Sequence, residues 1–340
     1  MSYTRVTLQQ HPKTTIEPST FKDETVPIPT KDDLKDGDYL IKVKLVSLDP
    51  TLRGQMSGQK SYIEPVKLGD VMRAWGLGEV VESKNPEYKV GDIVSGVVGF
   101  SEYAIGHNQD HRKIPNIPGI PLEDNLGVLG LTGLTAWWGI NGVAGGIKSG
   151  ETVLVSGAAG ATGSVAGQLA KIAGAKVIGI AGGKDKCDFI TKELGFDVAL
   201  DYKSADFKKD FKEATKGGVD VYYDNVGGEI LDMALMAAND FARFIMCGGI
   251  SQYNLDKPQP LYNVLQVVPK RIKMQGFIVM DHGDRFPEII KDLAGLISQG
   301  KLKAKTHLIE GPVTGLPNAL KSLFEGANTG KMIYKLDSKL

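Results

Sequence analysis

The chain has little cysteine: only Cys187 and Cys247 occur in 340 residues, far apart. A disulfide framework and a four-cysteine zinc site are therefore excluded by arithmetic, and both residues read as reduced thiols. Histidine is almost as sparse. His11, His107, His111, His282 and His307 form no HxxxH or HExxH pair. The nearest two, His107 and His111, stand in the polar stretch GHNQDHRKIP with no cysteine or acidic pair to complete a ligand set, so they read as solvated loop residues and no metal site is expected. Long apolar runs are missing too: none approaches the roughly 18 residues needed to span a bilayer. The amino terminus, MSYTRVTLQQHPK, has neither a secretory h-region nor the Arg- and Ser-rich pattern of a transit peptide, so a cytosolic protein is expected. Net charge is absent as well. Forty Lys plus Arg balance forty Asp plus Glu, which leaves no footprint for nucleic acid or for anionic lipid.

What is present is enough apolar residue for a large core, 42% of the chain, on a length above the ~250 to 300 residues at which single cores stop growing. Two domains are expected. The first third has a β-rich texture: residues 39–48 alternate as a strand does, and Gly- and Pro-punctuated apolar runs follow at 78–81, 93–98 and 103–105. The stretch HRKIPNIPGIPLEDN, residues 111–125, reads as an irregular crossing segment, with a domain boundary near Asn125. From there the texture changes. Residues 126–143 carry a long apolar helical pattern, and apolar runs at 152–156, 176–180, 219–224, 243–247 and 271–279 then read as strands, with helical stretches between most of them. Alternating β and α implies a doubly wound parallel sheet covered on both faces. A last helix, 318–325, and strand, 331–336, lie too far from that pattern to be its early members. The expected division is thus 1–125, 126–297 and a return to the first domain at 298–340.

The most informative stretch is ETVLVSGAAGATGSVAGQLAKIAGAKVIGIAGGKDK, a strand, glycine-rich turn, helix and second strand in the length of one βαβ unit. Gly157, Gly160 and Gly163 stand at GxxGxxG spacing. Glycine removes the Cβ that would hold a pyrophosphate away from the backbone, and a helix beginning near Ala161 offers unpaired N–H groups and a positive dipole end. Cofactor choice is read at the end of the second strand, where an NAD enzyme places a carboxylate on the ribose 2′-hydroxyl. Here Ala181, Gly182 and Gly183 are followed by Lys184 and Lys186. With no carboxylate to repel a 2′-phosphate and a lysine to bind it, Lys186 preferred over Lys184, NADPH is the expected cofactor.

Several further blocks, SLDPTLRGQM, LGLTGLTAWWGI, VYYDNVGGEILD, MCGGISQYN, QGFIV and GANTGKMIYKL, together with the glycine motif, resemble in one order the zinc-independent medium-chain dehydrogenase/reductases. Within them the likeness is to the prostaglandin reductases (leukotriene B4 12-hydroxydehydrogenases) and the alkenal double-bond reductases. The resemblance implies a GroES-like β-rich catalytic domain, closed by the carboxy-terminal segment, together with a Rossmann domain. It implies that Gly160, Ala161, Thr162 and Gly163 meet the pyrophosphate, that Lys186 and Tyr202 meet the 2′-phosphate, and that Asn225 lies beside the nicotinamide ribose. Cys247, Gly248, Gly249, Ile250, Ser251 and Tyr253 would line the nicotinamide half. Phe277, Ile278 and Val279 would hold its carboxamide by backbone groups, and Asn328 would reach the cofactor from the closing segment. One departure stands out: the family reads DPYMR where this chain reads DPTLR, so Thr51 removes an aromatic ring from the substrate wall, and Trp75 is expected to refill that space.

The cysteine and the Gly-His-Glu that hold zinc in related alcohol dehydrogenases are both missing. Hydride addition to the β-carbon of an enone needs only a hydrogen bond on the carbonyl oxygen, where enolate charge develops, and Tyr253 is the candidate donor. The ribose 2′-hydroxyl is the competing one. An NADPH-dependent alkenal/enone reductase is the preferred reading; a quinone reductase and a non-catalytic NADPH-binding regulator remain as alternatives. The apolar stretch KRIKMQGFIV reads as an edge strand of the Rossmann sheet, the edge at which relatives join two sheets, so a homodimer is expected.

Overall fold

The computed structural model describes residues 1–115 and 119–337, Pro18 by its backbone alone. Residues 116–118 of the proline-rich crossing and 338–340 of the terminal return lie outside the described residues. The chain divides into two units, one of Met1–Leu126 with Thr306–Asn328 and Met332–Leu340, the other of Gly127–Lys305 with Thr329–Lys331.

In the first unit, alternation in SYTRVTL turns Val6 and Leu8 to the core and builds β1 (Ser2–Leu8), which pairs antiparallel with β2 (Phe21–Pro27). This pair was not anticipated. Its strands are joined by twelve residues with no tight-turn signal, so the pairing is set by burial and not by local sequence. The following elements are β3 (Asp38–Ser47), the short α1 (Thr51–Gln55), β4 (Trp75–Ser83), β5 (Ile93–Val97), β6 (Tyr103–His107) and β7 (Arg112–Lys113). Of these, β3, β4, β5 and β7 stand in line with two late strands, β14 (Thr306–Gly311) and β15 (Lys331–Leu336), in a sheet ordered β14-β15-β3-β4-β5-β7, and β6 pairs with β3. Leu48, Leu52, Met56 and Phe100 pack beneath it with Leu316, Leu320 and Met332 from the far end of the chain. Burying such side chains is worth about 1.5–3 kcal/mol each and ties the carboxy-terminal stretch to the first unit.

His111 corrects an expectation: it is buried, not solvated. Its Nδ1 lies 3.0 Å from the Tyr39 hydroxyl and its Nε2 lies 3.1 Å from the Val97 carbonyl. The cause is β7, which pairs with β5 and draws the residue before it under the sheet. Arg53, inside the DPTLR block, is also buried, and its guanidinium donates to the carbonyls of Pro12, Lys13 and Thr14. Its work is to fasten the β1–β2 crossing to α1.

The second unit opens with α2 (Leu131–Trp138), continued by a π-helical turn at 139–143. The helical pattern read over 126–143 thus begins five residues late, because Leu122–Asn125 forms a separate 3-10 turn and Gly127 and Gly130 bend the chain before Leu131. Then come β8 (Thr152–Ser156), α3 (Ala161–Ile172), β9 (Lys176–Ala181), α4 (Lys184–Asp188), β10 (Val198–Asp201), α5 (Phe207–Ala214) and β11 (Val219–Asp224). They are followed by α6 (Gly228–Ala237), β12 (Ala238–Met246), β13 (Lys273–Gly276) and α7 (Phe286–Ser298). The six strands form one sheet ordered β10-β9-β8-β11-β12-β13, parallel at every pairing. Counted from β8, that is the order 3-2-1-4-5-6 of a Rossmann sheet. Leu154, Ile178, Tyr222 and Phe244 are buried in it, as runs sandwiched between helices must be.

The last strand is shorter than expected, four residues instead of nine, because Arg271 adopts a left-handed φ of 50° and the backbone turns again after Gly276. Residues 298–305, assigned from sequence to the returning segment, stay with the second unit. The Gln168 side chain holds Lys303 there, its Oε1 accepting from the Lys303 amide at 2.8 Å and its Nε2 donating to the Lys303 carbonyl at 3.0 Å. The chain re-enters the first unit at Thr306 with β14 (Thr306–Gly311), α8 (Leu316–Phe324) and β15 (Lys331–Leu336), the last of which pairs antiparallel with β3.

Candidate active site

Because all six strands of the second unit run the same way, their carboxyl ends share one edge of the sheet, and the switch in strand order falls between β8 and β11. That crevice is where open α/β sheets take ligands. Every candidate read in this unit lies in the loop, or in the first turn of the helix, that follows one of the six strands. Gly157 to Gly163 follow β8, Lys186 follows β9, Tyr202 follows β10, Asn225 follows β11, Cys247 to Tyr253 follow β12 and Phe277 to Val279 follow β13.

The turn after β8 needs its glycines. Gly157 has φ 60°, and a Cβ on Gly163 would overlap the Gly157 carbonyl oxygen and lie 2.9 Å from its carbon. Only hydrogen lets α3 start this close to the strand. Gly160 caps the helix, and the first amide to bond back inside it is that of Ser164, to the Gly160 carbonyl at 3.0 Å. The amides of Ala161, Thr162 and Gly163 therefore precede the helical ladder and suit a pyrophosphate. From the other end of the chain, Gly330 donates its N–H to the Ala159 carbonyl at 2.7 Å and braces the turn. Asn328, two residues earlier, belongs to the first unit.

At the end of β9 the lysines separate. Lys184 is paired with Asp188 one helical turn on. Lys186 is half-buried, and its ammonium is held below the usual lysine range by burial and by the neighbouring charge of Lys203. Lys203 was missed in the sequence, since nothing local says that the β10 turn lies against α4. Asp201 makes it so: its Oδ1 accepts from the amides of Gly183, 2.8 Å, and Lys203, 2.9 Å. Tyr202 lies across Gly182, where a Cβ would be 2.7 Å from its ring. Two cations beside an exposed phenol, with the Asp201 carboxylate turned onto backbone amides, fit a phosphate monoester.

The β8 and β11 ends are joined by two residues the motif reading did not name, Ser156 and Asp224. Asn225 donates its amide to Ser156 Oγ at 2.9 Å and its Nδ2 to the Ser156 carbonyl at 2.7 Å. Asp224, fully buried, accepts at Oδ1 from Ser156 Oγ, Tyr222 Oη and the amides of Val226 and Gly227. Burial raises its carboxyl pKa although these four donors oppose the shift. Its carbonyl then accepts from the amides of Cys247 and Gly248, which sets the next loop. There burial pushes the Cys247 thiol up to about 12, so it is no nucleophile at neutral pH. Tyr253 is 37% exposed, and its hydroxyl accepts the Gly249 N–H at 3.0 Å. Val279 is buried, whereas Phe277 and Ile278 are half-buried just beyond β13.

In the first unit, Thr51 opens α1, and its Oγ1 lies 2.7 Å from the hydroxyl of Tyr62. Trp75 instead donates Nε1 to Ser95 Oγ at 3.0 Å and packs on the cluster of Leu45, Leu77, Ile114, Leu126 and Ile333. The ring that reaches Thr51 is thus that of Tyr62. Among the described residues no three His, Cys, Asp or Glu side chains gather as a metal-holding group.

A six-stranded Rossmann sheet with a glycine-built turn that suits a pyrophosphate and a cationic corner that fits a phosphate monoester, on a chain whose other unit is β-rich, defines a dinucleotide-dependent oxidoreductase. Residues 4–114 match the family described as the N-terminal domain of oxidoreductase, and residues 161–295 match the family described as zinc-binding dehydrogenase. The Escherichia coli NADPH-dependent curcumin reductase is 37% identical over 88% of this chain and 88% of its own. The NADP(+)-dependent 2-alkenal reductase of Nicotiana tabacum is 37% identical over 87% of this chain and 86% of its own. The crystal structure of CurA from Vibrio vulnificus in complex with NADPH superposes with a TM-score of 0.91 at 37% identity, covering 98% of this chain and 99% of that one. The chain belongs to the zinc-independent medium-chain dehydrogenase/reductases, in the group of the prostaglandin and alkenal double-bond reductases.

Proposed function

We infer that this protein is an NADPH-dependent reductase of the C=C bond of α,β-unsaturated aldehydes and ketones. The observation that carries the reading is the row of residues at the carboxyl edge of the Rossmann sheet, where Lys203 and Lys186 follow β10 and β9, Ser156 and Asn225 stand at the ends of the next two strands, β8 and β11, and the phenol of Tyr253 follows β12. NADPH, when bound, supplies the hydride. Gly157, Gly160 and Gly163 leave room for its pyrophosphate, the amides of Ala161 and Thr162 point at it, and Lys186 with Tyr202 takes the 2′-phosphate. Asn225 is locked by Ser156 beside the ribose, and the backbone of Phe277 to Val279 takes the carboxamide. Tyr253 donates to the substrate carbonyl oxygen, where charge collects as the β-carbon is reduced, and serves the protonation of the α-carbon. A phenol that already accepts from an amide is polarised into a stronger donor, which suits that role.

Steady-state assays with 2-alkenals, enones and quinones test the reading, followed by product analysis with deuterated NADPH. Label at the β-carbon of a saturated carbonyl is expected. Label at the carbonyl carbon with the double bond intact, or turnover confined to quinones, overturns it.

The protein is further proposed to be cytosolic and homodimeric. Among the described residues no helix is long and apolar enough to cross a membrane. Among the described residues the β13 edge carries no further strand, and Phe241, Tyr262, Leu265 and Val268 are exposed. An edge strand with apolar neighbours favours pairing with a second copy. Sedimentation as a monomer alone at micromolar concentration rules the dimer out.

A further inference from the structure

The segment after β13 is held at its start by the sheet and further on by a ring stack. At its start, β13 keeps to β12 as far as Gly276, which stands opposite Met246. Beyond Phe277 and Ile278 the chain enters the 3-10 turn Val279–Arg285, which breaks at His282, φ −120° and ψ 32°. Met280 and Asp281 are exposed, and a 3-10 turn of this length is poorly held by its own hydrogen bonds. The stack is made at the break. There the His282 imidazole lies on the Trp138 indole, ring centroids 3.8 Å apart and planes 26° from parallel. Trp138 closes α2, and Gly142 in the next turn leaves room for its indole, since a Cβ there would lie 2.6 Å from the ring. The turn that carries Gly142 is itself anchored. Gly139 sits against the buried ring of Tyr223 in β11, whose hydroxyl donates to the Thr135 carbonyl at 2.9 Å, and Arg243 of β12 donates to the carbonyls of Ala144 and Gly146, both at 2.7 Å. His282 thus rests on a platform tied to β11 and β12, the strands that Asn225 and Tyr253 follow.

We propose that His282 is a positioning residue for the nicotinamide half of NADPH, acting through its stack on Trp138. The proposal rests on the reading of Phe277 to Val279 as the backbone that takes the carboxamide. Those three residues lie between the end of the ladder at Gly276 and the stack at His282, so the stack limits how far their N–H and C=O groups swing. Paired hydrogen bonds to a carboxamide need both groups in place at once, and a loop already held there avoids the entropy of being ordered at binding. The adenosine half is read after β8, β9 and β10, across the sheet from β13, so the stack bears on one half of the cofactor only.

Calorimetric titration of the full chain with NADPH and with adenosine 2′,5′-bisphosphate, which carries the 2′-phosphate and no nicotinamide, separates the two halves. His282→Ala should raise the dissociation constant for NADPH about three- to tenfold, the range of one ring stack, and leave that for the bisphosphate unchanged. His282→Phe, which puts a flat ring back over Trp138, should bind NADPH within about twofold of the wild type. Equal losses for both ligands in His282→Ala, unaltered NADPH binding, or a His282→Phe as weak as His282→Ala each overturn the proposal and leave the carboxamide reading standing. A wild-type protein that binds the reduced 3-acetylpyridine analogue as tightly as NADPH overturns the carboxamide reading and the proposal with it. Because every readout is one of binding, a protein that shows the expected pattern and reduces no unsaturated carbonyl bears out the proposal and fails the reductase reading alone.

Discussion

The amide of Gly249 donates to the phenol oxygen of Tyr253 at 3.0 Å, so the side chain assigned to the substrate carbonyl is aimed by its own loop. The same loop is set by Asp224, whose carbonyl accepts the amides of Cys247 and Gly248. Reactivity and position thus share one anchor. Tyr253→Phe removes one donor to a developing oxyanion, a loss worth about 10²–10³ in rate. The expected result is a kcat lowered by about that factor with the dissociation constant for NADPH changed little. An unaltered kcat assigns the proton to another group, the ribose hydroxyl first.

Gly163 and Gly160 are expected to differ although both belong to the glycine motif. A Cβ on Gly163 meets the Gly157 carbonyl carbon at 2.9 Å and overlaps its oxygen, whereas one on Gly160 meets only that oxygen, at 3.2 Å. Overpacking of the first kind costs about 1–3 kcal/mol. Gly163→Ala should therefore lower the melting temperature and weaken NADPH binding about tenfold or more, and Gly160→Ala should do less of each. Calorimetric titration with NADPH and thermal melts read both.

If Lys186 holds the 2′-phosphate as proposed, Lys186→Ala removes a charge-assisted bond of about 1.5–3 kcal/mol. The KM for NADPH should rise about tenfold or more while that for NADH stays level. Lys203→Ala should act in the same direction more weakly, since Lys203 is exposed and Lys186 is half-buried. Equal effects on the two cofactors would show that neither lysine reads the phosphate.

His111 links stability to pH. Burial holds its pKa below the ordinary 6.5, so the folded protein prefers the neutral ring that bridges Tyr39 and Val97. The unfolded chain then binds more protons in this range. Stability from His111 is complete above 6.5 and is lost as pH falls through the lower, folded value. Asp124 opposes it: burial, then Glu123, raises its pKa from 3.8 to about 6, so its unfavourable charge is relieved on acidification over that window. Melting temperatures from pH 7.5 to 5 should fall more steeply in the wild type than in His111→Asn. Parallel curves would count against a neutral buried ring.

Much of the Rossmann unit was legible because its signals are local. The bounds of β8 and of β11 coincide with their apolar runs, and α3 begins at Ala161 because the glycines before it leave no alternative. The order of loops along the cofactor follows from chain order once a parallel sheet is expected. The β1–β2 pair, β14 and the burial of His111 were not legible, since each depends on partners distant in sequence.

The sequence by itself determined the class of cofactor, through the missing carboxylate after β9, and the order of the binding loops, through repeated βα units. Tertiary structure alone decided which of the like residues act. It paired Lys184 with Asp188 and set Lys186 beside Lys203, turned Trp75 to Ser95 and brought Tyr62 to Thr51. The physical reason is range: backbone conformation and glycine clearance are properties of neighbouring residues, whereas a side chain's charge partner or ring contact is chosen by whatever the fold places beside it.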